Sequence, residues 1–308
     1  MVEAHIEVKG LRKEYGNLIA VDGIDFEVRK GQVFSLLGPN GAGKTTTVEI
    51  LECLRTATAG DVTILGLDLS QSSKIKRRIG VLPQGFNAFD LLTVKENVEY
   101  FAGMFEEAVD TDELLSWVKL ENRKKDLFKN LSGGMKQRVG IAMSLVNDPE
   151  IVFLDEPTTG LDPGARRDVW RMVRNLRERG KTIVLTTHYM EEAETLSDYI
   201  CIMNKGKIIV RGTPREIIKD HGGSPVAIVR GAGDRGLQAL SPNFPDCELA
   251  GVDLKIPIPN GRRVSEILNT LDNADVHYDE IVIKKSTLED VFLKLTGQEF
   301  KGGEEDEE

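Results

Sequence analysis

The sequence predicts an α/β protein: a mostly parallel sheet core, an antiparallel β subdomain, an inserted helical subdomain and, beyond a linker, a small α+β C-terminal domain. Three observations predict it. Short apolar runs at residues 33–37, 151–154, 183–185 and 199–203 recur between helical stretches, and strands buried on both faces of a parallel sheet read as such continuous runs. A glycine-rich segment joins the first run to a helix. A breaker cluster, His221-Gly222-Gly223-Ser224-Pro225, divides the chain before a second set of alternating elements begins.

Residues 6–37 read as strands and turns. Ile24-Asp25-Phe26-Glu27-Val28 alternates as a strand with one wet face does, and Val33-Phe34-Ser35-Leu36-Leu37 reads as a fully buried one. A helix opening at Gly43 carries Val48, Ile50, Leu51 and Leu54 inward. Residues 84–147 are nearly all helical in pattern, with Val94, Val98, Phe101 and Met104 spaced for one face, which marks the inserted subdomain. Residues 1–220 thus form the first domain and 221–225 the linker, after a short helix at 215–219. The second domain, 226–300, reads as strand 226–230, helix near 237–240, strand about 248–258, helix 264–271, strand 276–284 and helix 288–295. It shows no internal repeat and no catalytic constellation. Residues 301–308 read as an acidic, disordered tail.

Composition narrows the function. The formal net charge is −10, half of it carried by residues 304–308, so the chain as a whole lacks the basic footprint of a nucleic-acid binder. The local cluster Lys74, Lys76, Arg77 and Arg78 reads as a solvated helix face. Nothing approaches the roughly 18 consecutive apolar residues of a membrane helix, and the N-terminus lacks a secretion signal, so a cytosolic chain is expected. Cys53, Cys201 and Cys247 are far apart, which suggests neither a disulfide framework nor a zinc site. Cys53 and Cys201 read as core.

Gly38-Pro39-Asn40-Gly41-Ala42-Gly43-Lys44-Thr45-Thr46 matches the phosphate-loop pattern, in the context its mechanism needs: after a buried strand and at the start of a helix. Glycines let the backbone curl so that N–H groups and the helix N-terminus face a β-phosphate, where unpaired donors and the helix dipole favour an anion. Lys44 would reach the β and γ phosphates, and Thr45 would offer its hydroxyl to Mg²⁺. Asp155 and Glu156 end the apolar run 151–154, at the strand edge where such sheets bind ligands. Paired with the loop, Asp155 reads as orienting water on Mg²⁺ and Glu156 as the general base for the attacking water.

Leu131-Ser132-Gly133-Gly134-Met135-Lys136-Gln137 opens another helix. This segment resembles the signature motif of ATP-binding cassette (ABC) ATPases, and it lies between a phosphate loop and an Asp-Glu strand end, in that family's order. The resemblance covers residues 2–219. It implies ATP and Mg²⁺ as cofactors and further roles one position at a time. Tyr15 matches the aromatic on which adenine stacks, or is simply a strand aromatic in the core. Gln84, after Gly80-Val81-Leu82-Pro83, resembles the glutamine that touches Mg²⁺ and water where a transmembrane partner docks. Asp162, in Thr159-Gly160-Leu161-Asp162, resembles the loop crossing a dimer interface. His188 resembles the switch histidine on the γ-phosphate. Ser132, Gly133 and Gly134 would close over the ATP of a second copy.

Two departures from the family pattern stand out. Met135 replaces a common glutamine, while Ser132 and Gly134, which would meet phosphate, are present. No Gly-Glu-Arg-Gly segment precedes the signature, as it does in large fused exporters, so the chain reads as a stand-alone subunit. Residues 281–297 are similar to the ending of drug-resistance-type (daunorubicin-resistance-like) ATP-binding subunits, whose membrane partners are ABC-2 permeases. In physical terms this is a capping box, Thr287 with Asp290, opening an amphipathic helix that docks on its own domain or on a partner. The resemblance implies an ATPase at the cytoplasmic face of the cell membrane. It would pair as a homodimer or with a paralogous cassette and drive a separate transmembrane permease, with export as the direction and no nucleic-acid partner. The rival is a soluble ABC ATPase acting on ribosomes or DNA, which usually carries two cassettes or a long coiled-coil insertion.

Overall fold

The computed structural model describes residues 3–259 and 263–297. The acidic tail expected at 301–308 lies outside them. In chain order, β1 (Ala4–Tyr15) and β2 (Leu18–Arg29) form a long antiparallel hairpin, and β3 (Val33–Leu37) leads through the glycine-rich loop into α1 (Lys44–Leu51). β4 (Ala59–Ile64) pairs antiparallel with β1, and β5 (Leu67–Asp68) completes a sheet ordered β2-β1-β4-β5. After α2 (Ser72–Lys76) and β6 (Ile79–Leu82) come α3 (Val94–Ala102), α4 (Thr111–Trp117) and α5 (Gly133–Met143). Then follow β7 (Ile151–Asp155), α6 (Pro163–Glu178), β8 (Thr182–Thr186), α7 (Met190–Leu196), β9 (Tyr199–Asn204) and β10 (Lys207–Gly212). The second sheet runs β10-β9-β3-β8-β7-β6, with only the β9–β10 pairing antiparallel.

The apolar runs are strands because both of their faces are covered. In β7, Ile151 and Phe153 join the core shared with the antiparallel sheet, while Val152 and Leu154 join the core shared with the helices. Each such fully buried side chain contributes about 1.5–3 kcal/mol relative to exposure. Cys201 is buried in the first of these cores, whereas Cys53 is only half-buried.

Some helical faces are shorter than their periodicity suggests. α1 stops at Leu51, with Glu52 as its C-cap and Cys53 at φ 58°, so Leu54 lies beyond the helix and is exposed, not inward-facing. α3 starts on a full capping box, Thr93 with Glu96, and stops at Ala102. Val94 and Val98 are buried, but Met104 lies past the helix end and is exposed. The region 84–147 is therefore three helices joined by irregular segments and short 3₁₀ turns, not a continuous helical stretch.

The chain divides into two compact units: residues up to Arg215 together with the segment from Phe292, and Glu216–Val291. The division falls inside α8 (Pro214–His221), and regular structure stops between that helix and β11 (Val226–Arg230). There follow α9 (Gly233–Leu240), β12 (Glu248–Ala250), β13 (Asp253–Pro257), α10 (Arg263–Asn273), β14 (Glu280–Lys284) and α11 (Leu288–Thr296). The single strand expected at 248–258 is a hairpin turning at Gly251, whose φ of 70° suits glycine, and the strand expected from 276 begins at Glu280. The β-α-β-β-α-β order with all-antiparallel strands arranged β12-β13-β11-β14 is the ferredoxin-like arrangement. Ala227, Val229, Leu254 and Ile256 pack from the sheet against Leu240, Ile267 and Leu271 of α9 and α10, so the helices lie on one face.

Candidate nucleotide site

The loop between β3 and α1 has the curl its glycines permit. Gly43 has φ 101°, and a Cβ there would lie 2.4 Å from the backbone oxygen of Ala20, so both conformation and space exclude a side chain. Gly43 is also the N-cap of α1 and supplies no capping group, which leaves the first N–H groups of the helix to an outside acceptor. Lys44 folds back over the loop, its Nζ donating to the carbonyl oxygens of Gly38 (2.6 Å) and Pro39 (3.1 Å). Burial holds its ammonium below the ordinary lysine value, against the pull of Glu156 and Asp155.

One cleft of about 490 Å³ is lined by Asn40 to Thr46 together with Tyr15, Gln84, Asp155 and Glu156. Residues expected from four separate stretches of sequence thus line one cleft. Tyr15, at the end of β1, is 39 % exposed, so it is not a core aromatic; Lys13 Nζ stands 5.1 Å from its ring centre. A flat aromatic face at the cleft's rim suits a nucleobase.

Glu156 follows β7 in a left-handed conformation, φ 47°, and its N–H donates to the carbonyl oxygen of Thr186 (3.1 Å). That turn presents the carboxylate to three groups that converge on Oε2: Gln84 Nε2 at 2.9 Å, Thr159 Oγ1 at 3.1 Å and His188 Nδ1 at 3.2 Å. The bond to His188 holds the Glu156 carboxyl below the ordinary range, so it is ionised at neutral pH. Oε1 takes part in none of these bonds. Asp155 accepts from the Thr186 hydroxyl, and burial raises its carboxyl in spite of that bond. Among the described residues His188 Nε2 is buried without a hydrogen-bond partner, an unsatisfied polar atom on the ring that holds Glu156.

Other expected positions lie outside this cleft. Ser132 is the exposed N-cap of α5, its hydroxyl accepting from Met135 N–H at 3.3 Å. Gly133 and Gly134 pack beside α6 and the loop before it: a Cβ on Gly134 would lie 2.7 Å from Ala165 Cβ, and one on Gly133 3.7 Å from Leu161. Asp162 caps α6, accepting from the N–H groups of Gly164 (2.8 Å) and Ala165 (3.0 Å), bonds that lower its carboxyl. Sequence reasoning missed Thr186 and Thr159 as partners of the two acids, and residues 18–20 of β2 as cleft wall. Thr186 reaches Asp155 because the two are cross-strand neighbours in the β7–β8 register, which the sequence does not display.

Behind the site, Glu52 caps the C-terminal end of α1 and is only 6 % exposed. Burial pushes its carboxyl up to about 8, with Asp155 and Glu49 adding to the push. A folded value above the unfolded one means that stability from this group is full at low pH and is lost as pH rises from the unfolded value, about 4.5, toward 8. Glu52→Gln removes that loss. In urea melts of the nucleotide-free protein the variant should match the parent near pH 5 and exceed it by up to about 4 kcal/mol near pH 9. Equal stability at both pH values would remove the buried-acid assignment.

A phosphate-curling loop, a lysine on it and two strand-end carboxylates in one cleft define a phosphate-loop nucleoside triphosphatase. Comparison with known proteins narrows the class. The ABC transporter family profile matches residues 21–159. The chain is 39 % identical over 303 residues to "Nod factor export ATP-binding protein I" of Mesorhizobium japonicum, covering 96 % of this chain and 88 % of that protein. The protein of the same name from Paraburkholderia xenovorans is 39 % identical over 308 residues, covering 98 % and 100 %. Among solved structures, a dimeric ATP-binding cassette in a post-hydrolysis state with ADP and Pi matches at TM-score 0.60 and 30 % identity, covering 68 % of this chain and 98 % of that one. The chain belongs to the ABC transporter family, as an ATP-binding subunit, and is an ATPase.

Proposed function

We propose that this subunit powers an exporter by driving a separate transmembrane permease, docked at the cytoplasmic face of the membrane. The observation that carries this reading is the extent of likeness: the relatives named for export match 96–98 % of the chain, far past the 68 % shared with the solved cassette. The second unit is thus part of what the chain has in common with exporters. Among the described residues no helix is long and apolar enough to cross a membrane.

The proposed site is half of a working one. Lys44, with the loop residues Gly38, Pro39, Asn40, Gly41, Ala42, Gly43 and Thr46, would cradle the phosphates, and Tyr15 would stack on the base. Ser132, Gly133 and Gly134 stand outside the cleft, so they would close over the ATP of a second cassette, identical or paralogous, with Asp162 ordering the loop between. Thr45, Gln84 and Asp155 would hold Mg²⁺. No cluster of three or more metal-ligating His, Cys, Asp or Glu occurs among the described residues, and so sparse a donor set fits an ion that keeps waters and phosphate oxygens as its other ligands. When bound, Mg²⁺ would neutralise charge on the phosphates. Glu156 would accept a proton from the attacking water, held in place by Gln84, Thr159 and His188, while His188 Nε2 would meet the γ-phosphate. Because closure needs the γ-phosphate, hydrolysis would reopen the pair and make nucleotide state a mechanical switch.

Purification of the tagged chain from detergent-solubilised membranes tests this reading. An integral membrane protein should co-purify and raise ATP turnover when reconstituted. Recovery only with ribosomes or DNA would overturn it in favour of a soluble remodelling ATPase.

A further inference from the structure

Among the described residues, the sheet of the second unit ends on β14, which is hydrogen-bonded to β11 alone in the order β12-β13-β11-β14. The strand reads Glu280-Ile281-Val282-Ile283-Lys284, and Glu280, Ile283 and Lys284 are exposed, Ile283 by 48 %. An open edge offers unpaired N–H and C=O groups, and proteins ordinarily blunt it with a proline, a bulge or an interrupting charge. β14 has none of these. It contains no proline, its ladder with β11 runs without a register shift, and its charges stand at the two ends with opposite sign.

We propose that β14 pairs antiparallel with β14 of a second copy of this chain, about a two-fold axis at Val282, joining two four-stranded sheets into one of eight strands. In this register Glu280 lies opposite Lys284 of the second copy at both ends, Ile281 lies opposite Ile283 twice, and Val282 lies opposite itself. Strand alternation puts Glu280, Val282 and Lys284 on one face. Ile281 and Ile283 take the other face, on which Ile281 already packs into the α9–α10 core. Opposite charges and β-branched side chains are the cross-strand pairs that stabilise antiparallel ladders. A slip of two residues sets Glu280 against Val282 and loses both charge pairs, so the register is specified. Within one copy Glu280 bonds Arg230 at 2.6 Å and Lys284 lies 3.7 Å from Asp290. Pairing extends these into a row of alternating sign, Arg230, Glu280, then Lys284 and Asp290 of the second copy.

One five-residue ladder makes a weak, reversible contact. Its use rests on the reading that two cassettes work as a pair, although the contact itself does not: a standing link holds the copies at high effective concentration between turnovers.

Nucleotide-free, full-length protein tests the edge contact. Under mild oxidation Val282→Cys should give a disulfide-linked dimer, because opposed Cα atoms of an antiparallel pair lie about 4.5–5.5 Å apart, within the span of a disulfide. The parent, with Cys53, Cys201 and Cys247, should give none. In sedimentation velocity the parent should dimerise reversibly. E280K alone and K284E alone should each be monomeric, since either homodimer carries two like-charge pairs. Their equimolar mixture should dimerise, since both pairs then attract, and this outcome is independent of how each substitution affects its own monomer. No cross-link above the parent, or a mixture that sediments as the sum of its parts, would overturn the proposal. So would dimerisation seen only with ATP, which would assign association to the cassettes; the paired-cassette reading has its own test in Glu156→Gln.

Discussion

Glu156→Gln is expected to lower ATP turnover by about 10²- to 10⁴-fold, the range ordinarily lost with a general base, while the variant still forms a dimer when ATP is added. The amide keeps the size of the side chain and an oxygen for Gln84 Nε2, Thr159 Oγ1 and His188 Nδ1, all of which now meet Oε2. What it loses is the charge that takes a proton from water. Because His188 holds the Glu156 carboxyl below the ordinary range, the group is ionised throughout neutral pH. Its titration should therefore leave turnover unaffected above about pH 5. Steady-state phosphate release gives the rate, and size exclusion with and without ATP, run on Glu156→Gln that also carries E280K so that the β14 edge contact is absent, gives the association of the cassettes. Unchanged turnover would remove Glu156 from the base role. Lost turnover without an ATP-dependent dimer would count instead against the half-site reading.

Lys44→Ala should weaken ATP binding by roughly tenfold to a hundredfold, the equivalent of one hydrogen bond to a charged group at about 1.5–3 kcal/mol, and should reduce turnover further because phosphoryl charge develops where the ammonium would sit. The nucleotide-free fold should tolerate the change. The ammonium is desolvated, and its bonds go to the carbonyl oxygens of Gly38 and Pro39 on its own loop. A thermal melt should therefore move by no more than about 1 kcal/mol of stability, while calorimetric titration with ATP shows the loss of affinity. An unchanged dissociation constant would sink the assignment of Lys44 to the phosphates. A collapsed melt would mean that the lysine organises the loop rather than the ligand.

Much of the chain's chemistry is written in short stretches. The loop from Gly38 to Thr46, the Asp155-Glu156 strand end and the signature helix from Ser132 each carry spacing that needs no distant residue to be read. The apolar runs mark the strands for a similar reason: burial on both faces is a property of five consecutive residues. Helix ends were less legible, because Leu54 and Met104 continue a periodicity that the backbone abandons at Glu52 and Gly103. A period tells which residues would share a face but not where the hydrogen-bond ladder stops.

By itself the sequence determined that this protein belongs with the cassette ATPases and which loop is proposed to take the phosphates of a nucleoside triphosphate, since both follow from local spacing and motif order. The tertiary structure decided which groups act on one another. Gln84 reaches Glu156 across 72 residues of chain and Thr186 reaches Asp155 across 31, through strand order and register that no local pattern encodes. It also turned one expected strand into a hairpin and left β14 with an open edge. Topology decided these points because hydrogen bonds between distant segments form only where the whole sheet brings their donors and acceptors within about 3 Å of one another.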